Sequence, residues 1–458
     1  MKSEYLKYPF LLIAVALLTA CGGSKDETTE ETEEVVEQMY FEKLTPEQSG
    51  VSFTNKITEL DTFNYVTFQN IYNGGGVAIG DINNDGLSDI YFTGNQVSDK
   101  LYLNKGGMKF EDITEKAIGP MASDGWHTGV TMADVNQDGN LDIYVSRGGP
   151  DYFYDLRSNL LFINNGDNTF SEKSKEYGVD AARGTMQSAF FDMDNDGDLD
   201  LYVLNQAYQR EKQKVKVDLS KYPFSDQLFE NRDGKFVDVS KEAGIQNGAF
   251  GLGICIADLN ADGYQDIYTT SDYFQPDYMY INNGDGTFSE ENRERTSHIS
   301  QYGMGTDIAD FNNDGFMDIV VVDMVSEDHV RSKKNMGAMS TEVFWESVRV
   351  GNHFQYMFNT LQLNNGDAYF SEIGQMAGIS KTDWSWAPLF ADFDNDGDFD
   401  LYWTDNDVNQ IWLNDGTGTL AASNGGSGDG EPWASALISA PTSGIDGAAV
   451  GDVNNDGK

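Results

Sequence analysis

DMDNDGDLDLYV, residues 192–203, places five aspartates on alternate positions, interrupts them with one glycine, and runs directly into an apolar stretch. Carboxylates crowded so closely repel one another unless water or a cation separates them. Asp-rich text with a central glycine followed by Leu-Tyr-Val has the composition of a tight loop entering a β-strand. The pattern is not local to this stretch. D-x-[DN]-x-D-G-x-x-D begins at Asp81, Asp134, Asp192, Asp258, Asp310 and Asp392, and a seventh copy, DVNNDGK, begins at Asp452 and stops with the chain. The starts are separated by 53, 58, 66, 52, 82 and 60 residues, so the chain is an array of repeats rather than a mosaic of unrelated segments.

The context of each copy repeats as well. Before each first Asp lies a short segment such as GVAIGD, GVTMAD or GICIAD, with a large apolar residue two positions before the Asp (Ile79, Met132, Phe190, Ile256, Ile308, Phe390, Val450). Glycine usually stands five positions before the Asp, which suits a strand whose backbone approaches a neighbour closely. After the ninth position come IYF, IYV, LYV, IYT, IVV and LYW, again strand composition. A third signal follows, LYLNKGGMKF, LFINNGDNTF, LFENRDGKF, MYINNGDGTF, LQLNNGDAYF and IWLNDGTGTL, where Asn-Gly or Asp-Gly between apolar residues marks a tight hairpin. One repeat therefore reads strand, acidic loop, strand, loop, strand, tight turn, strand. Four antiparallel strands in about fifty residues is the size of a propeller blade. The expected fold is all-β, a seven-bladed β-propeller with its last blade incomplete.

Oxygen side chains at loop positions 1, 3, 5 and 9, with a backbone carbonyl at 7, can wrap a hard cation, and glycine at 6 permits the sharp turn. The candidate ligands are Asp81, Asn83, Asp85, the Leu87 carbonyl and Asp89 in the first copy, and Asp134, Asn136, Asp138, the Asn140 carbonyl and Asp142 in the second. The third offers Asp192, Asp194, Asp196, Asp198 and Asp200; the fourth Asp258, Asn260, Asp262, Tyr264 and Asp266. The fifth offers Asp310, Asn312, Asp314, Phe316 and Asp318; the sixth Asp392, Asp394, Asp396, Asp398 and Asp400. An EF-hand would need a bidentate Glu at loop position 12, where this chain has Phe92, Val145, Val203, Thr269, Val321 and Trp403, so that fold is excluded. Calcium, at about six sites, is the expected cofactor. The expected ions would offset part of a formal net charge of -45, and metal binding would then contribute folding free energy, because the ion-free loops repel themselves.

That acidity disfavours nucleic acid and anionic lipid as direct partners and favours cations. It is not the signature of disorder, because 39% of residues are hydrophobic and there are 23 Tyr, 27 Phe and 7 Trp. At the N-terminus, Lys2 and Lys7 precede an apolar run from Phe10 to Leu18, too short to span a bilayer, which reads as a signal peptide over residues 1–20. Leu18-Thr19-Ala20-Cys21 resembles a bacterial lipobox, which implies a lipid on Cys21, cleavage before it, and attachment to a membrane only through that lipid. Residues 21–39, beginning GGSKDETTEETEEVVE after Cys21, form an acidic tether, and residues 40–458 form the repeat domain. The only other cysteine is Cys255, so with Cys21 acylated the domain has no internal disulfide.

YNGGGVAIGDINNDGLSDIYFTGN, LYLNKGGMKFEDITEKA, NTLQLNNGDAYFSEIGQMAGIS and DWSWAPLFADFDNDGDFDLY resemble the VCBS/FG-GAP repeat proteins, in particular the ASPIC and UnbV-like surface lipoproteins of Bacteroidetes. The same loop occurs in the integrin α-chain propeller. The resemblance covers about residues 40–413 and implies calcium in the loops between first and second strands on one face, ligand binding on the other, and a surface-exposed outer-membrane location.

Eight residues before the first Asp, the aligned positions include Trp126, Phe250, Tyr302 and Trp384. With Trp386 they are candidates for an aromatic rim at the channel mouth opposite the loops, suited to a glycan or a peptide anchor; packing as wedges between blades is the competing reading, and the favoured one. The insert from Asp323 to Phe358 breaks the repeat and carries Arg331, Lys333 and Lys334. Catalysis has little support. His127, His298, His329 and His353 lack metal-ligand spacing, and neither G-x-S-x-G nor a Walker loop is present, although paired acids of a glycosidase would meet only in space. The expected function is a binding or adhesion module for a glycan or protein. The alternatives are a propeller-based glycan hydrolase or lyase, and a structural platform for further domains.

Overall fold

The computed structural model describes residues 44–150, 156–206, 226–335, 340–367, 369–405, 409–416 and 420–422. Cys21, the segments 1–20 and 21–39, and the seventh copy at Asp452 lie outside the described residues. Within them the chain forms six antiparallel meanders, each with four strands in chain order; in blade 5 an insert separates the second and third strands, and one of its short strands joins the sheet of blade 6. Blade 1 runs Val77–Gly80, Asp89–Phe92, Lys100–Asn104, Phe110–Asp112. Blade 2 runs His127–Ala133, Asp142–Arg147, Leu160–Asn164, Phe170–Glu172, and blade 3 Thr185–Phe191, Asp200–Asn205, Gln227–Asn231, Phe236–Asp238. Blade 4 runs Gly251–Ala257, Asp266–Ser271, Tyr278–Asn282, Phe288–Glu290, and blade 5 Gly305–Ala309, Asp318–Val322, Thr360–Asn364, Phe370–Glu372. Blade 6 runs Asp383–Ala391, Asp400–Asp405, Gln410–Asn414, Leu420–Ala422. The all-β propeller expected from the repeat is present with six blades; the count of seven is not reached among the described residues.

The core lies between blades. Second strands are buried on both faces: Tyr144, Val145, Tyr202 and Val203 are all fully buried. Ile82, Tyr91 and Leu101 of blade 1 pack with Ile143, Val145 and Phe162 of blade 2, and equivalent clusters join each successive pair through blades 5 and 6, where Phe311, Val320 and Leu361 meet Leu401 and Trp403. Loop position 2 (Ile82, Val135, Met193, Leu259, Phe311) belongs to these clusters, so each acidic loop carries its own apolar anchor. The innermost strands of blades 1 to 6 pack in succession. They surround a cavity of about 250 Å³ lined by, among others, Gly76, Val130, Gln187, Cys255, Asp307 and Leu389. The inner-strand glycines permit this: a Cβ on Gly305 would lie 2.1 Å from the Trp386 carbonyl oxygen.

Two departures from the repeat shape the end opposite the acidic loops. Phe63, Phe68 and Ile71, from the chain before blade 1, pack on Trp126 of blade 2, and the Tyr273 hydroxyl of blade 4 donates to Gln69 Oε1 at 3.2 Å. That segment therefore reaches from blade 2 to blade 4. In blade 5 the connection between second and third strands contains Met324–Val325, which pairs with Asp383 and Trp384 of blade 6, and two helices, His329–Asn335 and Thr341–Arg349. They occupy the insert that interrupts the repeat spacing.

Candidate metal centres

Each acidic loop is shaped by its own backbone before any ion is considered. In blade 1, Asp81 accepts from the Asp85 N–H at 3.2 Å and from the Gly86 N–H at 2.7 Å, and Asp85 Oδ1 accepts from the Leu87 N–H at 2.9 Å. The first Asp of every loop accepts in the same way from positions 5 and 6. The fifth accepts from position 7, which places Leu87, Asn140, Asp198, Tyr264, Phe316 and Asp398 at the turn. Position 6 has positive φ throughout, from 86° at Gly86 to 96° at Gly397, where a side chain would be strained.

The ninth-position aspartates join loop to blade. Asp89, Asp142, Asp200, Asp266, Asp318 and Asp400 are at most 1% exposed. One oxygen of each accepts the N–H of position 2, at 2.8–3.2 Å. The other accepts the N–H of an Asn ending the third strand, at 2.7–2.8 Å. Each oxygen retains acceptor capacity for a cation. Burial pushes these carboxyls up, to about 6 for Asp89, Asp142 and Asp400 and to about 7 for Asp200, Asp266 and Asp318. Burial and then the neighbouring Asp196, Asp194 and Asp192 raise Asp198 to about 6. This crowding of like charge is what a bound cation relieves.

The loops differ in donor set. In blades 3 and 6 position 3 is Asp, and oxygens of Asp192, Asp194 and Asp200, and of Asp392, Asp394 and Asp400, lie within 4.8 Å of one another. In the other four loops Asn83, Asn136, Asn260 and Asn312 hold position 3, each accepting the position-5 N–H through Oδ1. An all-oxygen donor set on a backbone already turned toward it fits a hard cation.

The Asn ending each third strand was legible only as turn text; the structure makes it a pin. Asn164, Asn282, Asn364 and Asn414 donate through Nδ2 to the position-2 carbonyl of the preceding blade (Ile82, Met193, Leu259, Phe311) at 2.7–2.8 Å. Its recurrence at one place in all six repeats was the available signal. At the opposite end, Asp99, Asn159, Asp226, Asp277, Asn359 and Asn409 each accept, through Oδ1, an N–H at the end of the second strand or one or two residues past it.

The aromatic candidates divide. Trp126 is 3% exposed and meets Phe63 and Phe68 edge-on, each at 5.5 Å. Phe250 is fully buried against Tyr273 at 5.2 Å. These two rings are wedges and not part of an open rim, because the chain before blade 1 and the blade-4 loop cover them. Tyr302, Trp384 and Trp386 stay partly exposed, and Tyr302 and Trp386 pack at the edge of the blade 5–6 core. The histidines do not converge: His127 bonds Asp99 at 2.7 Å and His353 bonds Thr296 at 2.9 Å. No described helix is long and apolar enough to cross a membrane.

The sequence matches the FG-GAP-like repeat family over residues 81–145, 148–203, 258–321 and 343–403, more than half of the chain. This chain belongs to the FG-GAP-like repeat family. Among curated FG-GAP relatives, cartilage acidic protein 1 of Homo sapiens is 26% identical over 271 residues, 54% of this chain and 38% of that protein. The Xenopus tropicalis protein is 24% identical over 260 residues, 54% and 39% of the two chains. The match thus spans well under half the length of these relatives. Among solved structures, an Agrocybe aegerita lectin described as recognising non-reducing terminal N-acetylglucosamine aligns with a TM-score of 0.44 at 19% identity, over 76% of this chain and 79% of the other. Bacillus licheniformis rhamnogalacturonan lyase PL11 aligns with a TM-score of 0.39 at 10% identity, over 76% and 56%. Neither likeness is close enough to transfer a function.

Proposed function

We propose that this chain is a calcium-binding propeller that presents a ligand-binding face at the cell surface, held to the outer membrane by lipid on Cys21. The observation that carries the calcium reading is the sixfold recurrence of one oxygen-lined loop whose amides already orient positions 1, 5 and 9. Calcium bound there neutralises carboxylates that otherwise repel and ties each inner strand to the second strand of its blade. The residues holding it are those at positions 1, 3, 5 and 9 with the position-7 carbonyl, from Asp81 to Asp89 through Asp392 to Asp400. Loops 3 and 6, richest in carboxylate, bind most tightly.

With one face committed to cations, ligand binding falls to the other. Of the aromatic candidates read from the sequence, Tyr302, Trp384 and Trp386 stay partly exposed there, and they suit a glycan or a protein side chain. Nucleic acid is disfavoured by the charge. The finer family reading, an ASPIC/UnbV-like surface lipoprotein of Bacteroidetes type with a seventh blade begun at Asp452, belongs to the same proposal. The test is calcium titration by calorimetry with a glycan and peptide binding screen, run with and without Trp386→Ala, and acyl analysis at Cys21. About six ions, ligand binding lost in Trp386→Ala, and a lipidated Cys21 support it. Absence of calcium uptake overturns it, and turnover of a bound glycan replaces the binding module with the hydrolase or lyase alternative.

A further inference from the structure

We propose that the fourth residue of each acidic loop couples neighbouring cation sites around the ring, and that Ala261 interrupts this coupling between blades 4 and 5. The coupling presupposes that the loops bind calcium.

Position 4 lies between the third and fifth ligands and adopts left-handed backbone in all six loops, with φ of 59° at Asn84, 58° at Gln137, 61° at Asn195, 57° at Ala261, 56° at Asn313 and 60° at Asn395. That conformation throws the side chain toward the next loop. Asn84 Nδ2 donates to the Gly139 carbonyl at 3.0 Å and to Asn140 Oδ1 at 3.1 Å. Gln137 Nε2 donates to the Gly197 carbonyl at 2.9 Å, and Asn195 Nδ2 to the Gly263 carbonyl at 3.0 Å. Asn313 Nδ2 donates to Asp398 Oδ1 at 2.6 Å and faces the Gly397 carbonyl at 3.5 Å. The carbonyl reached is always that of the sixth-position glycine one blade on.

That glycine carbonyl belongs to the peptide whose N–H, at position 7, holds the fifth-position carboxylate: Asn140 to Asp138, Asp198 to Asp196 and Tyr264 to Asp262, each at 2.9 Å, and Asp398 to Asp396 at 3.0 Å. One loop's side chain therefore fixes a peptide plane from its carbonyl side, and the N–H side of the same plane positions a ligand of the next loop. Closing one loop on its ion sets its position-4 donor, which pre-sets its neighbour. Reciprocity follows, because a coupling free energy acts equally on both sites. Ala261 has the same backbone conformation and no donor, so blade 5 receives no such restraint from blade 4.

The test uses the full chain, calcium set by chelator buffers, uptake by calorimetry, and the thermal midpoint of calcium-free protein as a second readout. Asn195→Gly keeps left-handed backbone available and removes the donor. Ala261→Asn supplies one, and Ala261→Gly relieves the same backbone without supplying one. Asn195→Gly is expected to raise the calcium concentration needed to fill the coupled loops about three- to ten-fold and to flatten the isotherm. Ala261→Asn is expected to steepen the isotherm relative to Ala261→Gly, with the calcium-free midpoints of the two within a few degrees. An Asn195→Gly isotherm superimposable on wild type, or coincident Ala261→Asn and Ala261→Gly isotherms, overturns the coupling while leaving calcium binding intact. Wild-type protein that takes up no calcium overturns both. Should Asn195→Gly fail to fold, the Ala261 pair, which adds a contact instead of deleting one, still decides the matter.

Discussion

Asp277→Asn tests the buried clip at the end of the blades remote from the acidic loops. Asp277 is 1% exposed. Its Oδ1 accepts the Ser271 N–H at 2.8 Å and its Oδ2 accepts the Tyr268 hydroxyl at 3.2 Å. Burial pushes its carboxyl up to about 8, with the negative charge of Asp323 adding to the effect. The unfolded chain titrates this group at about 4. A raised folded value means that the folded state holds the proton more tightly, so the stabilisation is complete below about pH 4 and is lost as pH rises through about 8. Inside that window the loss is at most about 1.4 kcal/mol per pH unit, or about 3.6 kcal/mol from pH 5 to pH 8. The amide introduced by the substitution would not titrate. It would keep the Ser271 bond, and its Nδ2 would face the Tyr268 hydroxyl as Asn159 Nδ2 faces that of Tyr144 at 3.0 Å. The assay is urea unfolding of wild type and variant at saturating calcium from pH 5 to pH 8, read as their difference, so that titrations elsewhere cancel. The variant should gain on wild type steadily with pH. A difference that stays flat, or a wild type that is the more stable at pH 8, refutes the reasoning.

Two further outcomes follow from the loops and the pins. If the six loops hold calcium as proposed, chelation should lower the melting midpoint by about 10 °C, since each site would contribute about 1.4 kcal/mol by mass action, and readdition should restore it; calorimetric scans with and without EGTA check this. Asn282→Ala deletes bonds to the Met193 carbonyl, the Gln265 carbonyl and the Gly284 N–H and should cost about 2–4 kcal/mol in urea unfolding. Asn231→Ala, whose amide reaches the Leu199 carbonyl of its own blade, should cost less.

The parts legible in the sequence were those whose chemistry is local. A nine-residue loop states its own turn, its oxygens and the strand that follows, so the six loop starts and the strand order came directly from the repeat. The clips and pins were hidden because each joins residues far apart in the chain: Asn364 bonds a carbonyl 105 residues away, at Leu259. Nothing in an Asn beside an apolar strand announces a partner in the preceding blade. The aromatic register put Trp126 and Phe250 at the start of the innermost strands, where they stand one residue before His127 and Gly251, but it could not see what covers them. Trp126 is buried by Phe63 and Phe68, from a segment with no repeat signature, and Phe250 by the blade-4 residue Tyr273. The helices His329–Asn335 and Thr341–Arg349 were visible only as a lapse in spacing.

Glycine appears in this chain for two physical reasons, and a pair of substitutions separates them. Gly86 has φ of 86° and an added Cβ would meet nothing within 4 Å, so Gly86→Ala carries only the left-handed backbone penalty, about 1–2 kcal/mol. Gly305 has no such conformation, but its added Cβ would lie 2.1 Å from the Trp386 carbonyl oxygen and 2.9 Å from Pro388 Cδ. Backbone and a proline ring cannot swing aside as a flexible side chain can, so Gly305→Ala forces the inner strands of blades 5 and 6 apart. That opens the cluster where Phe311, Val320 and Leu361 meet Leu401 and Trp403, and the cost should exceed that of Gly86→Ala by several kcal/mol. Thermal unfolding in saturating calcium measures both. If Gly305→Ala proves the milder change, the inner strands are not held at the close spacing on which this packing depends.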